Sequence, residues 1–238
     1  MIDFNLKEIA PMCEKFGVQL DADKCEQLNR YGNLLLEWNE KMNLTAITEP
    51  REVLYKHFYD CILFLKQVPV PQGARLIDVG TGAGFPGMVL KIVRPDLKVT
   101  LLDGLQKRLT FLNAVAEDLG LSVDTVHLRA EDAGRNPLYR EKFDLATARA
   151  VSALPTLCEY CLPLVKKGGQ FVAMKGSSAK EEVAAAQNAV KILGGGKPTL
   201  GFETLTGEEQ RAFVTIKKIS QTPPKYPRSG GKIAKSAL

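Results

Sequence analysis

The chain has 238 residues, is 45% hydrophobic and 25% charged, and carries a formal net charge of +5, the profile of a globular protein with room for one α/β domain and a smaller appendage. No apolar run approaches the roughly 20 residues of a membrane span, and five irregularly spaced cysteines argue against a disulfide framework and for a reducing compartment. Residues 1–60 hold seven Lys/Arg against eleven Asp/Glu, whereas the remainder holds twenty-five against sixteen, so the surface suited to a polyanion lies in the later, larger part.

The first residues, MIDFNLKEIAPMCEKFG, lack a basic start and a small-residue cleavage site, so they do not read as a secretory signal and the expected location is cytoplasmic. Apolar residues recur at three- and four-residue steps in LNRYGNLLLEWNEKMNL and again in REVLYKHFYDCILFLKQV, which predicts two amphipathic helices. Between them Thr48 is the expected N-cap, with Glu49 and Pro50 in the first turn. The run VPVPQG breaks the pattern, and a small helical domain is expected over residues 1–70.

Residues 71–220 change character. The short β-rich runs RLIDV, KVTLLD, SVDTVHL, FDLATA and GQFVAMK alternate with helix-length segments, and two more, TLGFETLT and AFVTIKKIS, follow close together. This predicts a doubly wound α/β sheet with an antiparallel hairpin on one edge. Cys158 and Cys161 form C-x-x-C, but no second pair exists to complete a zinc site, and their apolar surroundings point to core packing; no metal is expected. Residues 221–238 form a tail with Lys225, Arg228, Lys232 and Lys235 and no acid, which suits either a phosphate backbone or a frayed terminus.

The densest signal is LIDVGTGAGFPG, residues 76–87. Gly80, Gly82 and Gly84 follow a strand and precede a helix whose first turn would contain Pro86, so backbone groups can approach a ligand that any Cβ would hold off. Gly82, Gly84 and Gly87 satisfy the dinucleotide pattern as well. Asp103 ends the next strand, twenty-three residues after Gly80, where a carboxylate can accept from both ribose hydroxyls of an adenosine. That fits NAD or S-adenosylmethionine. Asp78, awkward beside a pyrophosphate but tolerable beside a sulfonium and an amino group, and the edge hairpin favour S-adenosylmethionine.

IDVGTGAGFPG, with WNEKMNLTAIT and YKHFYDC before it and RAEDAG, ATARAV and KGGQFVAMKG after it, resembles the bacterial small-subunit ribosomal RNA guanine-N7 methyltransferase family, RsmG or glucose-inhibited division protein B. The likeness runs along essentially the whole chain, and GFPG, MNLTAIT and ARAV are its most specific parts. It implies a class I S-adenosylmethionine-dependent methyltransferase fold, a Rossmann-like seven-stranded sheet, and methyl transfer to N7 of a guanine in 16S ribosomal RNA, as naked RNA or small ribosomal subunit; a monomer is expected. Gly80 and Phe85 match family cofactor contacts, Ala130 and Glu131 its adenine-side pair, and Arg149 an arginine beside the cofactor; Asp103 stands where relatives usually have glutamate. The tail keeps the family's Tyr-Pro-Arg start, while its middle departs from the usual lysine, glycine, threonine and proline run.

Guanine N7 carries a lone pair and no proton, so positioning rather than a general base supplies the rate. His57 and His127 are accordingly expected to be structural and far from the loop. Arg149 and Lys175 end adjacent strands at the sheet edge where ligands bind and are the positioning candidates, Arg149 for guanine O6 or a phosphate, Lys175 for a phosphate. Lys225, Arg228, Lys232 and Lys235 are expected on RNA. The competing readings are an NAD-dependent oxidoreductase, a non-catalytic cofactor- and RNA-binding module, and a methyltransferase acting on a protein or small molecule.

Overall fold

The structure is a computed structural model that describes every residue except 208. A short helix α1 (Ala10–Glu14) leads to the long α2 (Ala22–Met42). Asp21 caps α2 by accepting from the Lys24 N–H, and Asn43 ends it in the left-handed conformation, start and stop chemistry that local sequence supplies. Leu28, Tyr31, Gly32 and Leu35 form its buried stripe. The next helical segment is capped by Glu49 rather than Thr48. The Glu49 backbone is extended and its carboxylate accepts from the Glu52 N–H at 2.8 Å, where it also faces the positive end of the helix. This segment runs as α3 (Pro50–Val53), a π-helical stretch (Leu54–Tyr59), α4 (Asp60–Ile62) and α5 (Phe64–Gln67).

Five parallel strands follow: β1 (Arg75–Val79), β2 (Lys98–Asp103), β3 (Asp124–His127), β4 (Phe143–Arg149) and β5 (Val165–Lys175). The hairpin β6 (Thr199–Thr206) and β7 (Glu209–Lys217) completes a sheet of order β3-β2-β1-β4-β5-β7-β6, with β7 antiparallel to β5. Rossmann-like winding with an edge hairpin is what the alternating runs predicted. Helices α6 (Gly87–Val93) and α7 (Gln106–Leu119) cover the face lined by Leu76, Leu145 and Val172. Helices α9 (Leu154–Cys161), α10 (Ala179–Ala185) and α11 (Gln187–Ile192) cover the face lined by Ile77, Ala146 and Phe171. A single turn, α8 (Ala130–Ala133), follows β3.

The N-terminal helices share one hydrophobic cluster with the larger domain. Phe4, Leu28, Tyr31, Phe58 and Phe64 pack with Phe85, Met88 and Phe111. Polar links reinforce the contact: Arg30 Nη2 lies 2.8 Å from Asp118 Oδ2 on α7, and the buried Tyr31 hydroxyl donates to the Ala83 carbonyl in the glycine loop. Residues 1–70 thus form an outer layer over α6 and α7. Cys158 and Cys161 are fully buried in the opposite cluster, and burial pushes the Cys158 thiol up to about 12, an inert core pair. The tail is docked, with Tyr226 and Ile233 buried, and ends in α12 (Gly230–Lys235).

Candidate active site

β1 and β4 are neighbours, yet the chain leaves β1 for α6 on one face and β4 for α9 on the other. A crevice opens at their carboxyl ends, the place where open α/β sheets bind ligands. The glycine loop lies in it. Gly80 has φ +67°, and a Cβ there would come within 2.8 Å of Val151, so both conformation and space demand glycine. The Gly80 and Thr81 N–H groups donate to the Leu102 carbonyl at 2.8 and 3.1 Å, and the Gly82 N–H donates to Asp103 Oδ2 at 2.9 Å, which folds the loop against the end of β2.

Asp103 is almost fully buried, and its Oδ1 accepts from the Leu105 N–H at 2.9 Å. Arg108 Nη1 also reaches its Oδ2 at 3.3 Å, so of the about four acceptor sites of a carboxylate one remains for a hydroxyl donor unless Arg108 gives way. Beneath the loop Asp78 is fully buried. Its Oδ2 accepts from the Thr81 hydroxyl at 2.7 Å and from the Gly87 N–H at 2.9 Å, while its Oδ1 has no partner among the described residues. Burial raises the Asp78 carboxyl to about 6. Asp78 and Thr147 are register partners in β1 and β4, and Thr147 Oγ1 is also buried without a partner among the described residues. Two orphaned oxygens on one sheet face call for a polar ligand or water.

A cavity of about 500 Å³ occupies the crevice, and Gly80, Asp103, Ala130, Glu131, Val151 and Tyr160 are among its walls. Four of the residues expected at the cofactor therefore meet there. Gly82 is partly exposed and is not among the cavity's walls, whereas Gly84 and Phe85 lie behind them. Gly84 backs onto the N-terminal layer, where a Cβ would sit 2.5 Å from the Tyr31 hydroxyl. Phe85 is buried, with the His57 ring stacked 4.3 Å away and the Arg149 guanidinium 4.9 Å from its centroid.

A second cavity of about 360 Å³ adjoins the first, and Ala150 lines both. Lys56, His57, Arg149, Lys175 and Arg211 face it. Strand alternation puts Thr147 and Arg149 on the same face as Asp78, and that face lies under the N-terminal helices. Arg149 Nη1 donates to Asp60 Oδ2 and to the Lys56 carbonyl, each at 2.9 Å. The π-helical stretch makes the second bond possible. The Asp60 N–H bonds to the Tyr55 and His57 carbonyls, bypassing that of Lys56. Asp60, fully buried, also accepts from Arg211 Nε at 2.6 Å, so one carboxylate holds two arginines from strands at the cavity floor.

His57, expected far from the loop, lies against it: it stacks on Phe85 and contacts Arg149. Arg149 Nη2 lies 3.0 Å from His57 Nδ1, and Thr45 Oγ1 lies 2.9 Å from Nε2. Arginine can only donate, so Nδ1 accepts and the ring hydrogen sits on Nε2, donated to Thr45. Burial, reinforced by the Arg149 charge, pushes His57 down to about 3. It is a neutral spacer with both nitrogens engaged. His127 is exposed and lies 3.2 Å from the Gly104 carbonyl. Lys175 is a brace: Nζ is 2.7 Å from both the Ser152 carbonyl and Glu182 Oε2, and its side chain is 11% exposed. Its charge is spent inside the protein, where a phosphate contact was expected.

Residues 24–214 match the family described as rRNA small subunit methyltransferase G. A ribosomal RNA small subunit methyltransferase G of Desulfitobacterium hafniense is 49% identical over 94% of this chain and 94% of its own. One from Acetivibrio thermocellus is 51% identical over 94% and 92%. The chain belongs to this family. Solved structures agree on the fold: a SAM-dependent O-methyltransferase from Thermotoga maritima (16% identity, 79% of this chain and 73% of that one, TM-score 0.53) and precorrin-6y C5,15-methyltransferase from Geobacter metallireducens (12%, 74% and 92%, 0.52).

For a methyltransferase G chain the tail is a distinct matter, since the family match ends at residue 214. Lys225, Lys232 and Lys235 are exposed. Arg228 is turned inward: its Nη2 lies 2.7 Å from Oε2 and its Nε 2.9 Å from Oε1 of the fully buried Glu159. A buried carboxylate without such a partner is costly, so Arg228 is committed to the fold. Sequence reasoning also passed over Asp60 and Arg211. The only local hint was the three-residue spacing of His57 and Asp60, which puts both on one side of a helical turn.

Proposed function

We propose that this methyltransferase transfers the methyl group of S-adenosylmethionine to N7 of a guanine in 16S ribosomal RNA, acting in the cytoplasm as a monomer. The observation that carries this reading is the pair of neighbouring cavities, both lined by Ala150, at the sheet's switch point in a chain of this family. The first suits the cofactor: Asp103 and Glu131 offer acceptors for hydroxyl and amino groups, and Asp78, buried behind the glycine loop rather than lining the cavity, adds negative charge that favours a cationic ligand over a pyrophosphate. When bound, S-adenosylmethionine supplies a methyl group on a sulfonium sulfur, reactive toward a neutral nucleophile. Gly80, Asp103, Ala130 and Glu131 would hold it.

The second cavity would take the guanine. N7 has no proton to lose, so the transfer needs no base, and His57 in this cavity is neutral with both nitrogens occupied. Arg149 and Arg211 can donate to guanine O6 or to a phosphate while N7 stays free. Ala150 lines both cavities, which allows nucleophile and methyl group to meet at their junction; alignment of this kind contributes on the order of 7–11 kcal/mol in favourable cases. RNA bases must unstack to reach such a site, and Lys225, Lys232 and Lys235 would help to hold the surrounding backbone. The test is transfer of labelled methyl to undermethylated small subunits and to protein-free 16S RNA, followed by nucleoside mass spectrometry. N7-methylguanosine is the expected product. Absence of any labelled nucleoside while the cofactor binds would refute the reaction.

A further inference from the structure

We infer that the C-terminal segment is a strap that positions two walls of the cofactor cavity, with Gly230 setting Glu131 and Arg228 setting Tyr160. This rests on reading the first cavity as the cofactor site. The cavity takes Ala130 and Glu131 from α8, a helix of four residues. A single turn has no stability of its own, because nucleation outweighs the few hydrogen bonds it makes. Something outside it must hold it.

The tail occupies its outer side. At Gly134 a Cβ would come within 2.9 Å of Pro227, a closeness that only glycine permits. Arg135 Nε donates to the Pro227 carbonyl at 2.9 Å. Arg140 Nη1 donates to the Gly134 and Tyr226 carbonyls, each at 2.8 Å, and Nη2 donates to the Thr222 carbonyl at 2.7 Å. These bonds tie residues 222–227 to the segment that follows α8. Gly230, the first residue of α12, then lies directly on the Glu131 side chain, where a Cβ would overlap Oε1. On the neighbouring wall the Arg228 fork holds Glu159, whose successor Tyr160 faces the cavity.

The strap also carries Lys225, Lys232 and Lys235, all exposed. RNA that engages these lysines would act on the same segment that fixes Glu131, and by linkage any effect of RNA on cofactor affinity is matched by an equal effect of cofactor on RNA affinity.

Calorimetric titration of S-adenosylmethionine into the wild type, Gly230→Ala, Glu131→Ala and the double variant tests the strap. Alanine favours a helix over glycine, so the substitution disturbs little except the Glu131 carboxylate, which must swing away. Gly230→Ala is expected to weaken binding on the order of tenfold, within the range of ordinary site coupling, with an unchanged melting temperature. It should cost nothing further in the Glu131→Ala background. Wild-type affinity in Gly230→Ala, or an equal loss in both backgrounds, would overturn the inference and leave the cofactor reading intact. A wild type that binds no S-adenosylmethionine would overturn both. Glu159→Gln probes the second wall without relying on Gly230: it is expected to weaken binding whether or not Glu131 is present, and wild-type affinity there would remove Arg228 from the strap.

Discussion

Asp78→Asn is expected to relieve a cost that the cofactor-free protein carries at neutral pH. Asp78 is fully buried, gives one oxygen to Thr81 and Gly87, and leaves the other without a partner. Burial raises its carboxyl from the ordinary 3.8 to about 6. Because the folded-state value lies above the unfolded one, the folded protein binds the proton more tightly between about pH 4 and pH 6. Stability therefore falls as pH rises through that window and stays lowered above it. At 1.36 kcal/mol per pH unit the total is about 3 kcal/mol. Asparagine can accept from Thr81 and Gly87 through its oxygen and has no proton to lose, although its buried amide costs about 1–3 kcal/mol if unbonded. That amide cost is independent of pH, so the clean quantity is the change with pH. Urea unfolding from pH 4 to pH 7 should show the stability difference between variant and wild type moving by about 2 kcal/mol in the variant's favour. S-adenosylmethionine affinity should fall, because the variant lacks a carboxylate beneath a cationic ligand. Parallel pH profiles, or unchanged affinity, would refute the reasoning.

Asp60→Ala leaves Arg149 and Arg211 without their shared counter-charge in a largely buried site; loss of one partner of such a group costs about 3–5 kcal/mol, and calorimetry should show a melting point lower by on the order of 10 °C. His57, held at about 3 by burial and Arg149, binds no proton in the folded state until well below the unfolded value of 6.5. The wild type therefore loses stability as pH falls below 6.5, and His57→Gln should reduce the loss between pH 7 and pH 5 by about 2 kcal/mol in denaturant titrations. Replacing Lys225, Lys232 and Lys235 together with alanine should lower the slope of log affinity for 16S RNA against log salt by about 2–3, with S-adenosylmethionine affinity retained; equal slopes would take these lysines off the RNA.

The sheet and the loop are legible in the sequence. Parallel strands buried on both faces read as near-continuous apolar runs, which the centres of RLIDV and KVTLLD supply, and glycines directly after such a run mark a tight turn; that Val151 presses on Gly80 is known only from the fold. Asp103 follows from the same local geometry, since a strand end and a turn place it within reach of the loop. The roles of the charged residues were decided elsewhere. Asp60 meets Arg149 across 89 residues and Arg211 across 151, and Arg228 meets Glu159 across 69. The tail's charge made Arg228, and a place at the end of its strand made Lys175, look like phosphate ligands; partners Glu159 and Glu182 made them braces. His57 shows the same division: its helix is written in the spacing of its neighbours, but its neutral state depends on Phe85 and Arg149, brought to it by the packing of the N-terminal layer. Periodicity is a short-range property that neighbours along the chain can encode. The ionisation and exposure of a side chain depend on desolvation and on partners, and only the tertiary structure supplies those.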